Sequence, residues 1–145
     1  MAIKKQEFYE GAALHRLART GAIPGIRYYA PFFVVSGELF VLLKYSTRTR
    51  SPWGFTFTPD EQEQLHVRAF EHQPVVIAMI CGNDGIAAIR YDAYQTIAFP
   101  KTTALRITCA RLYGKYYRVT GPDGRLDRKI APSEWHQILN PQGEP

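Results

Sequence analysis

The sequence predicts one α+β domain, a mixed β-sheet with flanking helices that is extended by a C-terminal β-meander and closed by a short helix. Two stretches with helical apolar spacing lie among short apolar runs of strand character. The run "PVVIAMIC", continuous rather than alternating, marks a strand covered on both faces. No repeat, low-complexity tract or Pro/Gly-rich linker interrupts the 145 residues, so a single domain spans 1–145, with 140–145 a loose tail.

The first helix comes from "KKQEFYEGAALHRLART". Ile3, Glu10, Ala13, Leu14 and Leu17 fall on one face, His15, Arg16 and Arg19 on the other, and Gly21 stops the helix. Glu10 is the one carboxylate on the apolar face, where an uncompensated charge is costly; it takes a partner there or reaches water at the rim. After the Pro24-Gly25 turn, "IRYYAPFFVV" and "ELFVLLKYS" read as two strands joined at Ser36-Gly37, with Pro31 interrupting the first. A short strand "GFTF" follows Trp53. The next helix has the clearest start in the chain: Thr58 as N-cap, Pro59 in the first position, Asp60 in the first turn and Glu61 closing a capping box, with Leu65 and Phe70 facing inward. "GNDG" turns the continuous apolar strand back into "IAAIRY". From Thr103 to Ile130 the chain alternates and turns at Gly114 and "GPDG", which is a meander, and "PSEWHQIL" is the last short helix.

Composition removes several classes of function. Apolar residues are 46% and charged ones 21%, ordinary for a globular domain, and no apolar run is long enough to span a bilayer. The N-terminus "MAIKKQEFYEG" has no apolar h-region, which points to a cytoplasmic protein. Cys81 and Cys109 sit in apolar strands without metal-ligand spacing and read as buried free thiols. His15, His66, His72 and His136 have no ligand spacing either, so no metal site is expected from them. Neither a phosphate-binding glycine loop nor a nucleophile elbow is present.

The net charge of +5 is unevenly spread. Lys44, Arg48 and Arg50 follow one another without an acid between them, and from Lys101 to Lys129 eight cations face two aspartates. Such zones concentrate polyanions, of which nucleic acid is the commonest in a cell. Alternation along a strand from Glu38 to Arg50 would put Glu38, Phe40, Leu42, Lys44, Ser46, Arg48 and Arg50 on one side.

A helix with an inward Glu, a hairpin whose second strand carries a Lys, and a capped helix after it resemble the nuclease superfamily with the PD-(D/E)xK motif. That is the restriction-endonuclease-like fold of Holliday-junction resolvases. The resemblance covers roughly Lys5 to Tyr91. It implies a first-helix acid at Glu10, a strand lysine at Lys44 and, in an active member, carboxylates that hold Mg²⁺. The pattern is incomplete. Leu42 stands where the family has an acid two residues before the lysine, and the hairpin's one acid, Glu38, is six residues from Lys44. The expectation is therefore a nucleic-acid-binding protein with a degraded or absent metal centre and no cofactor.

In that reading Lys44, Ser46, Arg48 and Arg50 contact the phosphate backbone, and Tyr117, Arg118, Arg125, Arg128 and Lys129 on the late hairpin form an arm along the groove. The same hairpin also fits an edge that uses charge to prevent strand pairing. Trp53, Tyr45 and the tyrosines of "LYGKYYRV" offer stacking surfaces, although residues such as Trp53 and Phe55 more often belong to the core. Two alternatives stand beside this. One is an active Mg²⁺ nuclease in which Glu10, Glu38 and Asp84 or Asp92 rebuild the site. The other is an adaptor or subunit that docks on an acidic protein through its basic, aromatic hairpin. Proteins of this superfamily often pair, so a homodimer is a further expectation.

Overall fold

In this computed structural model residues 2–20 and 25–139 are described; the Gly21 stop, Pro24 and the tail from Asn140 lie outside them. Helix α1 (Lys5–Ala18) buries Ala13 and Leu17, one turn apart on its inner face. Ile3 precedes the helix and stays exposed.

"IRYYAPFFVV" does not form one strand. Pro31 has no N–H for a ladder, and the chain reverses there into β1 (Ile26–Tyr29) and β2 (Phe32–Val35), an antiparallel pair with Tyr29 opposite Phe32. Ser36 and Gly37, both at positive φ (57° and 82°), turn β2 into β3 (Leu39–Ser46). From β3 the chain crosses over through β4 (Trp53–Phe57) and α2 (Pro59–Phe70) to β5 (Val75–Cys81), which lies parallel to β3. The capping box of α2 forms as expected: Thr58 Oγ1 accepts the Glu61 N–H at 3.1 Å and Glu61 accepts the Thr58 N–H at 3.0 Å. Leu65 is buried, but Phe70 is exposed. Five residues advance a helix by about 500°, which carries Phe70 off the inner face. Strand β6 (Gly85–Arg90) returns antiparallel to β5, giving a mixed sheet in the order β1-β2-β3-β5-β6.

The mixed sheet and the C-terminal meander expected from the sequence are both present, as two separate sheets. Strand β4 leaves the first sheet and pairs with β7 (Leu105–Ala110), which continues into β8 (Arg118–Gly121) and β9 (Gly124–Arg125). The expected meander is thus the body of a second, antiparallel sheet. A helix that the sequence reading passed over, α3 (Tyr91–Ile97), joins the two sheets and buries Tyr94 and Ile97. A 3-10 helix (Pro132–Gln137) closes the described chain.

Each face of the first sheet has its own core. Phe40, Leu42, Ile77, Met79 and Ile89 point toward Trp53, Phe55, Phe57 and Ile107 of the second sheet, with Leu65 of α2 and Tyr94 of α3 beside them. Leu39, Val41, Leu43, Val76 and Ile80 point the other way, toward Ala13, Leu17 and Trp135. Because successive strand residues alternate in side, both faces of β3 and β5 are buried, which is why their sequences read as continuous apolar runs. Trp135 donates its indole N–H to the Ala13 carbonyl at 2.9 Å, fixing the 3-10 helix to α1. Cys81 and Cys109 are free and buried, with Cys109 Sγ 3.8 Å from Met79 Sδ. No described helix is long and apolar enough to cross a membrane.

Candidate nucleic-acid interface

Strand β3 ends at Ser46, so the alternation expected through Arg50 stops there. Arg48 and Arg50 stand instead on a loop over 47–52, fully at the surface. The loop is held from below. The Trp53 indole donates to the Arg48 carbonyl at 2.8 Å, and Arg48 Nε donates to the Arg50 carbonyl at 2.8 Å. Gly82, at φ +55°, packs under the Arg48 carbonyl where a Cβ would collide with it. Trp53 is 3% exposed and Phe55 1%, so both belong to the core and neither is a stacking surface.

The partner of this loop was not legible in the sequence. Ser51 Oγ accepts the Arg111 N–H at 2.9 Å, and Trp53 pairs with Cys109 in the second sheet, which sets residues 111–116 beside 47–52. Arg111 lies across the Tyr117 ring and donates to Asp84 at 2.7 Å and to the Lys115 carbonyl at 2.7 Å. Tyr117, expected at the interface, is fully buried and donates its hydroxyl to Asp84 at 2.6 Å. Burial, then the Asp84 hydrogen bond, holds this phenol well above its ordinary pKa, so it remains a donor. Its place at the surface is taken by Tyr113 and Tyr116, with Leu112 and Lys115 also exposed. Among the described residues no carboxylate pairs with Arg48, Arg50 or Lys115. The one acid here that is engaged, Asp84, is occupied by Arg111 and Tyr117.

The late hairpin is not a free arm. Asp123 at its tip accepts the Phe99 N–H at 2.7 Å and Lys101 Nζ at 2.6 Å, and Gly121 packs against the Ile97 carbonyl. Lys101, followed by the Phe99 N–H, holds the Asp123 carboxyl below its ordinary pKa. Arg128 forms a fork onto both oxygens of Glu134, at 2.7 and 3.2 Å. Arg118 is half-buried at the start of β8, opposite Ala110, and so lies near the 111–116 loop. Arg125 and Lys129 are exposed, but Arg125 pairs with Thr120 next to the tip, at the far end of β8 from Tyr117.

Lys44 lines a groove of ≈ 560 Å³ that borders the loop at Thr47 and is also lined by Gln6, Gly54, Thr56 and Glu61, and Glu10 reaches toward it only through Gln6. Lys44 Nζ sits 2.8 and 2.9 Å from the two oxygens of Glu61, the capping-box residue of α2, and above the Phe57 ring. This ion pair ties β3 to α2. Glu10 accepts a hydrogen bond from Gln6 at 2.8 Å, and partial burial raises its pKa. Tyr9, next to it, stacks on Tyr45 at 5.1 Å, which uses one face of that ring. Glu38 is exposed at the opposite end of β3, about 20 Å from Lys44 at the rise of a strand. Asp84 is at the β5–β6 turn, and Asp92, accepting the Ala93 N–H at 2.8 Å, is at the start of α3. The structure therefore does not gather Glu10, Glu38 and Asp84 or Asp92. A hard divalent cation takes six or more oxygen donors. Here Leu42 is in the core, both Glu61 oxygens face an ammonium, and no group of three His, Cys, Asp or Glu among the described residues is placed to hold a metal. The side chains present do not fit Mg²⁺.

No protein-family model matches the chain, and no curated protein does. Among solved structures it is similar to Hjc of Archaeoglobus fulgidus, a Holliday junction resolvase from an archaeal hyperthermophile. The two share 16% identity over 71% of this chain and 83% of that one, at a TM-score of 0.48. The chain is structurally similar to a resolvase. Its own element order, α1, the β2–β3 hairpin with Lys44 and the capped α2, is the order on which the sequence resemblance rested, and the parallel pairing of β5 with β3 is added by the structure.

Proposed function

We propose that this protein binds a nucleic-acid backbone at the end of the molecule formed by residues 47–52 and 111–116, without a working metal centre. The observation that carries the reading is the convergence there of Arg48, Arg50 and Lys115, none of them neutralised by a carboxylate among the described residues, with the exposed rings of Tyr113 and Tyr116. Unpaired cations on a rigid base release counterions from phosphates, and Thr47, Thr49 and the loop N–H groups add hydrogen bonds that position a strand without reading its sequence. Exposed tyrosines add sequence-tolerant stacking. Lys44 is not part of this surface in our reading, because its charge is spent on Glu61.

The test is fluorescence anisotropy with single- and double-stranded DNA and RNA over a salt series, with and without Mg²⁺, followed by electrophoresis of the products. The expected result is binding that weakens steeply with salt and leaves the nucleic acid intact. Metal-dependent fragments that vanish in Glu10→Ala or Lys44→Ala would replace this reading with the enzyme. Absence of binding to all four at low salt would turn the exposed Leu112, Tyr113 and Tyr116 into a surface for a protein partner.

A further inference from the structure

A second concavity lies between α2 and α3, at the Phe57–Leu105 end of the second sheet and therefore away from the basic loops at its Trp53–Cys109 end. Its volume of ≈ 470 Å³ is in the range of small-molecule sites. Tyr91, Phe99, Pro59 and Pro100 give it apolar walls, and Glu63, His66 and Gln95 stand at its exposed rim. Tyr94 lines it as well and is 3% exposed, yet its hydroxyl has no hydrogen-bond partner among the described residues. The hydroxyl is not sealed from water, so it faces the solvent in the cavity, and a ligand that displaces that water has to meet it. Burial, followed by the nearby Tyr91 and Glu61, raises its pKa, so the group remains a donor.

We propose that this cavity binds a nucleobase, a neutral planar heterocycle that stacks on the Tyr91 and Phe99 rings and accepts a hydrogen bond from Tyr94. Charge selects a neutral ligand. Lys101 at the cavity edge is bound to Asp123 at 2.6 Å and already lies over one face of the Phe99 ring, 5.5 Å from its centroid, and Glu63, which has no partner among the described residues, repels a phosphate or carboxylate ligand. Polarity selects a heterocycle. An aliphatic ligand would leave the Tyr94 hydroxyl unmet, whereas a base offers acceptors to Tyr94 and mixed donors and acceptors to Gln95, Glu63 and His66 at the rim. The buried Gln62 does not compete for it, because its amide already serves the Phe57 and Thr103 carbonyls and the Lys101 N–H. This inference is independent of backbone binding at the basic end.

The experiment is titration of the full chain with adenosine, guanosine, cytidine and uridine, followed by backbone amide chemical shifts. Saturable shifts confined to α2, α3 and residues 98–101 with at least one nucleoside are expected. Tyr94→Phe should keep the melting temperature and weaken that binding about tenfold, the value of one hydrogen bond. Phe99→Ala, at an exposed site, gives the same weakening through lost stacking if Tyr94→Phe folds poorly. The variant with Arg48, Arg50 and Lys115 changed to Glu should bind the nucleoside as before, which separates failure of this inference from failure of the backbone reading. A single-stranded oligonucleotide that displaces the nucleoside, where an abasic one does not, identifies the occupant as a base presented by a strand; lack of displacement identifies a free nucleoside. No saturable shifts with any nucleoside, shifts located in 47–52 or 111–116 instead, or unchanged affinity in both variants would overturn the proposal.

Discussion

The two ends of the second sheet use their cations differently, although each mixes paired and unpaired ones: Arg111 is held by Asp84 at one, and Arg125 and Lys129 are exposed at the other. At the Phe57–Leu105 end Lys101 is held by Asp123, while along the returning chain Arg128 is held by Glu134, so these side chains fix the hairpin to the segment that follows α3 and to the 3-10 helix. At the Trp53–Cys109 end Arg48, Arg50 and Lys115 have no acidic partner, and the loops beneath them are fastened by backbone and indole hydrogen bonds. A cation count along the chain does not distinguish structural charge from available charge. Only the position of the carboxylates does, and they come from distant parts of the sequence.

The strongest way to break this comparison is charge reversal at each end in turn. Changing Arg48, Arg50 and Lys115 together to Glu should abolish binding to duplex DNA in the anisotropy assay, while Arg125→Glu with Arg128→Glu leaves it within about twofold. Each single neutralisation at the first end should lower the salt slope by about 1. Equal losses from both sets would mean that the whole basic surface acts as a diffuse field, and the contrast drawn here would be wrong.

A smaller effect sharpens the structural side. Gln62→Leu removes an amide that satisfies three backbone groups, the Phe57 carbonyl and two that join α2 to residues 101–103, and should cost about 1–3 kcal/mol in chemical denaturation without altering nucleic-acid binding. The smallest effect is on pH dependence. The folded-state pKa of Asp123 is depressed, so its contribution to stability is present above the unfolded carboxylate value, about 3.9, and is lost as pH falls through the lower folded value. Asp123→Asn should therefore lower the melting temperature at neutral pH and flatten the acid limb, so that the two profiles converge at low pH. An unaltered acid limb would show that Lys101 and Asp123 do not hold the tip in solution.

Much of the architecture was readable from local chemistry. The Thr58-Pro59-Asp60-Glu61 start of α2, the Ser36-Gly37 turn and the doubly covered β5 depend on caps, turn conformers and burial periodicity that act over a few residues. Pro31 was seen as an interruption, but whether it ends a strand or reverses it depends on what the next segment pairs with, and β1 pairs with β2. The departure of β4 into a second sheet could not be read for the same reason: a five-residue strand states which faces it can bury and not which neighbour it has.

At the site, local chemistry already places a basic, hydroxyl-rich segment after β3 and joins cations to tyrosines at the turn of "LYGKYY". Tertiary structure decided that these two segments meet, that Tyr117 is the buried member of its group, and that Lys44 belongs to Glu61. Residue type and spacing set what a side chain can do, because those are properties of the chain within a few ångströms. Which charges are neutralised and which rings remain in water is settled by contacts between segments 17 to 60 residues apart, and these form only when the two sheets close on their common core.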